Sequence, residues 1–222
     1  MNAVLDIPRA RFNMIEQQIR PWDVLDQDVL DLLMVVKRED FVPAAHRALA
    51  FTDMEIPLGH DTYMWSPKME ARVLQELQIK AHDRALEIGA GSGYFAALLA
   101  HSCHAVTSVE IEPALVVLAQ QNLKAAGLTD VRVVEGDGAR GHANDTYDII
   151  VLSGSTPVLP ERFFEQLKPG GRLFAVVGDA PVMEARIYTK AGAGTGSITS
   201  INLFETVITP LVNAAQPVRF KF

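Results

Sequence analysis

Residues 83–93 read Asp-Arg-Ala-Leu-Glu-Ile-Gly-Ala-Gly-Ser-Gly, and no other stretch constrains the fold as tightly. A short apolar strand runs into Glu87, glycines follow at 89, 91 and 93, and an apolar helix opens at Tyr94. Glycine at alternate positions lets backbone come within contact distance of a ligand, because no Cβ intervenes. The helix N-terminus beyond the turn offers unpaired N–H groups, which suit a negatively charged group. A strand, a glycine-rich turn and a helix in that order predict an α/β sheet with a nucleotide-like ligand at its edge. A tight turn without any ligand is the plainer alternative for this motif taken alone.

Two ligand classes use such turns. Dinucleotide enzymes read G-x-G-x-x-G and seat a pyrophosphate on the helix N-terminus. This chain reads G-x-G-x-G, and Glu87 stands two residues before the first glycine. A carboxylate there repels a pyrophosphate but suits the ammonium and sulfonium charges of S-adenosyl-L-methionine. The pattern resembles the first motif of the Rossmann-like, class I methyltransferases. That resemblance implies S-adenosyl-L-methionine as cofactor, held by Glu87, Gly89, Ala90, Gly91 and Gly93.

The residues downstream keep the order. Ala105–Val109 reads as a buried strand with Glu110 at its end, placed to accept the ribose hydroxyls, and Ile111 beside it. Pro113 suits a first helical turn, and that helix runs to about Ala126 and stops at Gly127. The strand 131–135 ends in Gly136-Asp137-Gly138. Asp137 alone reads equally well as an ordinary Asp-Gly turn. In class I methyltransferases an acid here binds the adenine amino group, and Gly138 lets the ring lie flat. Three acids, each after a successive strand, are much harder to reach by accident.

Tyr147–Leu152 is a continuous apolar run, as in a strand buried on both faces. Ser153-Gly-Ser-Thr-Pro157 follows at the carboxyl edge, then a helix over 160–167, Lys168-Pro-Gly-Gly171 and a strand over 172–177. Two β-like runs, 184–189 and 202–208, flank the glycine-rich loop Gly192–Gly196, which predicts an antiparallel C-terminal hairpin. The fold class expected is α/β: a Rossmann-like, doubly wound, mostly parallel sheet with that hairpin and an N-terminal helical extension. One domain over 1–222 is expected, with 1–80 packed across the cofactor cleft and 81–222 as the core. In the extension, Phe12, Ile15 and Ile19 recur at helical spacing, as do Val29, Leu32, Leu33 and Val36, and Pro21-Trp22 separates the two helices. Residues 50–58 read as extended and irregular, and 69–77 as a further helix.

The formal net charge of −7, with no lysine or arginine cluster, argues against nucleic acid or an anionic membrane as partner. Cys103 is the single cysteine, so no intrachain disulfide forms and a cytoplasmic, reducing location is expected. The first residues lack the charged start and apolar core of a secretory signal, and no apolar stretch is long enough to span a membrane.

The extension narrows the family. Arg38-Glu-Asp-Phe-Val-Pro43, Phe51-Thr-Asp, Ile56-Pro-Leu-Gly59 and Leu86–Tyr94 resemble protein-L-isoaspartate O-methyltransferases. So do Glu135-Gly-Asp-Gly138, Gln166–Leu173, Val177-Gly178 and Val207-Ile-Thr-Pro-Leu211, in the same order over nearly the whole chain. The resemblance implies carboxyl methylation of isoaspartyl residues in damaged proteins. It implies a protein or peptide substrate and no metal; a monomer or weak homo-oligomer is expected. A carboxylate nucleophile is ionised near neutral pH, so no general base is needed and alignment carries the catalysis.

The chain departs from the family at one segment. Between the Pro-Leu-Gly run and the next helix the family has Thr-Ile-Ser-x-Pro-His, with the serine and histidine at the site. Here the segment is Tyr63-Met-Trp-Ser-Pro-Lys68, which puts Trp65 at the serine position and Lys68 at the histidine position. Ser66 is shifted by one residue, which on an extended segment faces it the opposite way. Trp65, Ser66 and Lys68 are the candidate catalytic residues. Lys68 as a cation for a carboxylate and Trp65 as a pocket wall stand against a solvated lysine and a packed tryptophan.

His101-Ser-Cys-His104 lacks the further ligands that would complete a metal shell. Glu110 and Glu112 are better read as a ribose anchor and a helix-start charge than as a catalytic pair. His60 lies nearest the expected cleft among the isolated histidines. Three other readings stand beside the leading one: a class I methyltransferase with a different protein or small-molecule acceptor, a nicotinamide oxidoreductase, and a non-catalytic cofactor-binding protein.

Overall fold

The structure is a computed structural model that describes residues 6–192 and 198–217. Helix α1 (Ile7–Met14) is capped by Asp6, whose carboxylate accepts from the Arg9 amide at 3.2 Å. It loosens into a π-turn over Ile15–Ile19 and a 3-10 turn over Arg20–Trp22. Pro21 cannot supply the amide that would continue the helix. The buried face is centred on Arg11, Met14 and Ile15, so Phe12, expected on it, is 54% exposed. Helix α2 (Gln27–Val35) buries Val29, Leu30 and Leu33, with Asp26 as its cap.

The segment before the next helix is more regular than expected. Strands β1 (Ile56–Gly59) and β2 (Thr62–Met64) form an antiparallel hairpin whose tip, Gly59-His60-Asp61, has φ of 90°, 52° and 54°. Helix α3 (Pro67–Leu77) begins with proline at its first turn and ends at left-handed Gln78.

From residue 84 the chain alternates β3 (Arg84–Ile88), α4 (Tyr94–Ser102), β4 (Ala105–Glu110), α5 (Pro113–Ala125), β5 (Arg132–Glu135), β6 (Tyr147–Leu152) and α6 (Glu161–Gln166). Three long strands follow: β7 (Leu167–Asp179), β8 (Val182–Lys190) and β9 (Ile198–Glu205). The sheet order is β5-β4-β3-β6-β7-β8-β9, parallel through β7 and antiparallel at β8 and β9. This is the expected α/β architecture. The strand order reverses beside β3, between β3 and β6, which puts a crevice outside the carboxyl ends of those two strands.

Alternation along the central strands splits the core. Ala85, Ile149, Val151, Phe174 and Val176 face one side, where α1–α4 and Leu123 of α5 pack. Leu86, Ile150, Leu152, Leu173 and Ala175 face the other, covered by Phe163 of α6. The N-terminal helices therefore sit on a sheet face, and from this region the β1–β2 hairpin and the turn into α3 reach the crevice.

Two boundaries differ from the sequence reading. Lys168–Gly171 belongs to β7, with Gly170 at φ 78° inside the strand. Strand β9 starts at Ile198 rather than 202 and ends at Glu205 rather than 208; past its end the Ser155 amide donates to Thr209 O at 3.0 Å and the Leu211 amide to Ser155 O at 2.9 Å. Those bonds pull 208–211 off the sheet edge and onto the crevice. The glycine-rich loop, apart from Gly192, lies outside the described residues. Among those residues no helix is long and apolar enough to cross a membrane.

Candidate active site

The turn after β3 is held from both neighbours: the Gly89 amide donates to Val109 O and the Ser153 amide to Ile88 O, each at 2.8 Å. Gly89, Gly91 and Gly93 have φ of 97°, 52° and 82°, a region open to glycine. A Cβ on Gly89 would stand 3.3 Å from Ser153 Cβ, and one on Gly91 3.1 Å from Leu58 Cδ1. At Gly93 it would meet the backbone of Ala119 on α5 at 3.2 Å. Gly93 therefore serves the packing of α4 on α5, and it lines neither cavity described below.

A cavity of about 100 Å³ opens at the carboxyl ends of β3, β4 and β5. Gly89 and Gly91, the apolar Ile88, Val109, Ile111 and Leu115, and Glu110, Asp137 and Gly138 all line it. Residues 209–212 and the hairpin residues Thr62 and Tyr63 complete the lining. Glu110 accepts from the Gly91 amide at 2.9 Å and, through its other oxygen, from the Glu112 amide at 3.0 Å. Asp137 accepts from the Ala139 amide at 3.0 Å and from Asn213 Nδ2 at 2.9 Å. A Cβ on Gly138 would meet Ile88 Cδ1 at 2.8 Å, so close packing under the cavity is the local reason for glycine there.

Glu87, expected beside the other two acids, lines a second, smaller cavity of about 40 Å³ together with Ala90, Ser92 and Trp65. The two cavities share Tyr63, Gly89, Gly91 and Ser153. Glu87 is fully buried and accepts from the Ser108 hydroxyl and, at 3.5 Å, from the Ser153 hydroxyl. Burial pushes its carboxyl up to about 8, against the pull of the Ser108 hydroxyl and with the Glu110 charge adding to the rise.

The three candidate catalytic residues separate. Trp65 is buried and packs edge-on against Phe95 and Phe174, with centroids 5.5 and 5.8 Å away, while forming a wall of the smaller cavity. Ser66 precedes α3 and its hydroxyl makes no capping bond. Lys68 Nζ lies 2.7 Å from Asp53 Oδ2 and 5.2 Å from the centroid of the Trp22 ring. Neither Ser66 nor Lys68 lines either of these two cavities. His60 Nδ1 sits 3.5 Å from Glu112 Oε2 at the hairpin tip. Among the described residues no group of three His, Cys, Asp or Glu side chains could hold a metal, and burial pushes the Cys103 thiol up to about 11.

The family model for protein-L-isoaspartate(D-aspartate) O-methyltransferase matches residues 9–216. The chain belongs to this family. A protein-L-isoaspartate O-methyltransferase of Methanoculleus marisnigri is 38% identical over 205 residues, 92% of each chain. Another, from Rhodopseudomonas palustris, is 41% identical over 169 residues, covering 76% of this chain and 69% of its own. The fold matches a Plasmodium falciparum crystal structure assigned to the family and complexed with S-adenosyl-L-homocysteine. That match has a TM-score of 0.79 and 19% identity, and covers 94% of this chain and 99% of the other.

Within this family member, one group escaped the sequence reading. Arg38, 1% exposed, donates to Ala50 O at 3.0 Å, to Trp65 O and to Glu70 Oε2, and stacks 5.4 Å from the Tyr94 centroid. Glu70 lines the smaller cavity, and a second buried pair, Arg11–Glu39, lies beyond. The signal was present: Glu70 heads the stripe Glu70, Val73, Leu74, Leu77 on α3, and an acid on an apolar face needs a partner.

Proposed function

We propose that this family member is an S-adenosyl-L-methionine-dependent methyltransferase that methylates the carboxyl group of L-isoaspartyl residues in proteins. The observation that carries the reading is the pair of joined cavities on the glycine turn, bordered by Glu87, Glu110 and Asp137.

The donor fits this lining. The apolar residues Ile88, Val109, Ile111 and Leu115 suit a flat ring, and Gly89 and Gly91 present backbone to the same cavity. In this reading Asp137 takes the adenine amino group, Glu110 the ribose hydroxyls and Glu87 the charged aminoacyl end. Gly89, Ala90, Gly91, Ile111 and Gly138 supply the surface between them. The donor supplies an electrophilic methyl group on a cationic sulfur. The rest of the work is the protein's: to bind the two partners, hold them in line and exclude water. An isoaspartyl carboxylate is ionised at neutral pH and asks for no base. A cytoplasmic location and a monomer or weak homo-oligomer complete the proposal.

A second acceptor class is favoured by one observation. Trp65 fills the place of the family serine, and Lys68 is tied to Asp53 away from both cavities. The test is incubation with methyl-labelled donor and an isoaspartyl peptide or its aspartyl twin, then base treatment. Labelled methanol from the isoaspartyl peptide alone is the expected result. Donor uptake without transfer to either peptide would move the assignment to another acceptor.

A further inference from the structure

The smaller cavity receives carboxylates from two unrelated elements, Glu87 at the end of β3 and Glu70 in the first turn of α3. Both side chains are withdrawn from solvent, at 0% and 2% exposure. Among the residues that line this cavity there is no lysine, arginine or histidine. The nearby cations are committed elsewhere. The Arg38 fork is filled by Ala50 O, Trp65 O and Glu70 Oε2, and Lys68 is held by Asp53. Tyr94, also in the lining, donates its hydroxyl to Val36 O at 3.4 Å. The only ionisable carboxyl groups in the lining are therefore these two acids, beside the hydroxyl residues Tyr63, Ser92 and Ser153.

Two carboxylates lining one cavity disfavour each other's charge, and a cation between them relieves both. The charge of Glu70 is among the causes that raise Glu87, so the two act on one another. Arg38 reaches one oxygen of Glu70, while an ionised carboxylate accepts up to about four hydrogen bonds.

We infer that Glu70 is a second carboxylate of the aminoacyl subsite, receiving the donor's ammonium group together with Glu87. This rests on the reading above that the joined cavities take S-adenosyl-L-methionine. Arg38 is then a positioning residue: it keeps Glu70 at the cavity wall and, through Trp65 O, fixes the turn that forms the opposite side.

The test compares two ligands by calorimetry. S-adenosyl-L-homocysteine carries the aminoacyl end, whereas 5′-methylthioadenosine shares the adenosine and thioether but lacks it. Glu70→Gln is expected to weaken the first by about tenfold or more, as for a lost charge-assisted bond, and the second by less than about twofold. Equal change for both ligands, or none for either, overturns the role and leaves Glu70 as a partner of Arg38 alone. Should Glu70→Gln fold poorly, the double replacement Arg38→Met with Glu70→Met removes the buried pair together, and the same ratio is read. A wild-type chain that binds 5′-methylthioadenosine and S-adenosyl-L-homocysteine equally also overturns it. One that binds neither sinks the donor reading itself.

Discussion

Glu110 Oε2 accepts the Gly91 amide at 2.9 Å, so the acid that closes β4 also holds the middle of the glycine turn after β3. Its other oxygen takes the Glu112 amide at 3.0 Å, at the start of α5. One side chain thus ties together three segments that frame the larger cavity. Glu110→Ala leaves both amides without their acceptor, a cost of about 1–3 kcal/mol each where no water replaces it. The expected outcome is a lower thermal midpoint and at least about tenfold weaker S-adenosyl-L-methionine binding, equivalent to about 1.4 kcal/mol. Glu110→Gln keeps one acceptor oxygen and is expected to lose less. Unchanged donor affinity in the alanine variant, measured by calorimetry, would remove Glu110 from the site.

Glu87 makes the site sensitive to pH. Its ordinary value of 4.5 is pushed up to about 8, chiefly by burial. The folded protein therefore keeps a proton that the unfolded chain releases. The stability this gives is complete below about 4.5 and is lost as pH rises through about 8. Glu70, pushed up to about 7 by burial against the opposing pull of Arg38, acts in the same direction. The ligand-free protein is expected to melt lower as pH rises between those limits, and Glu87→Gln to flatten the slope. A cationic ligand beside Glu87 draws its pKa down, so donor affinity is expected to rise toward pH 8 and then level off. Calorimetry near neutral pH in buffers of different ionisation heat reads the released proton. A heat independent of buffer would contradict the placement of Glu87 beside the donor's charge.

How much of this was legible follows from where the determinants lie. The turn, the strand-end acids Glu110 and Asp137 and the order of elements are local patterns, and local patterns are what periodicity and glycine spacing report. The β1–β2 hairpin was missed because its tip needs three consecutive left-handed residues, two of them the non-glycine His60 and Asp61. The partition of the acids between two cavities depends on Ser108 of β4 and Ser153 in the turn after β6 gripping Glu87, which no single segment announces. The Arg38–Glu70 pair joins residues 32 apart, so the apolar stripe around Glu70 signals a buried acid without naming its partner. Gly93 sat in the right motif, yet its reason is Ala119 on the next helix.

Lys68 gives a prediction opposite to the role its family position suggests. Its ammonium lies 2.7 Å from Asp53 and over the Trp22 ring, and its side chain is 32% exposed. A part-exposed pair of this kind contributes about 0–1 kcal/mol. Lys68→Ala is expected to leave donor affinity and turnover within about twofold and to lower stability by less than about 1 kcal/mol. A large rise in acceptor KM with little change in melting would instead bring Lys68 back to the substrate.

Two glycines of one turn are expected to fail differently. Gly93 has φ 82°, and an added Cβ meets Ala119 Cα and O at 3.2 Å; both atoms are backbone and cannot move aside cheaply. Gly93→Ala therefore combines about 1–2 kcal/mol of left-handed strain with the cost of overpacking α4 against α5. Gly93 lines neither cavity, so the surviving folded protein is expected to bind S-adenosyl-L-homocysteine nearly as tightly as before. At Gly91, φ is 52° and the Cβ would meet only the end of the Leu58 side chain, at 3.1 Å, which can turn away. Gly91 lines both cavities, so Gly91→Ala is expected to cost less in melting temperature and more in ligand affinity. Melting curves with and without ligand separate the two effects. Parallel losses in the two variants would mean that the turn acts only as a rigid unit, with no division between packing and binding glycines.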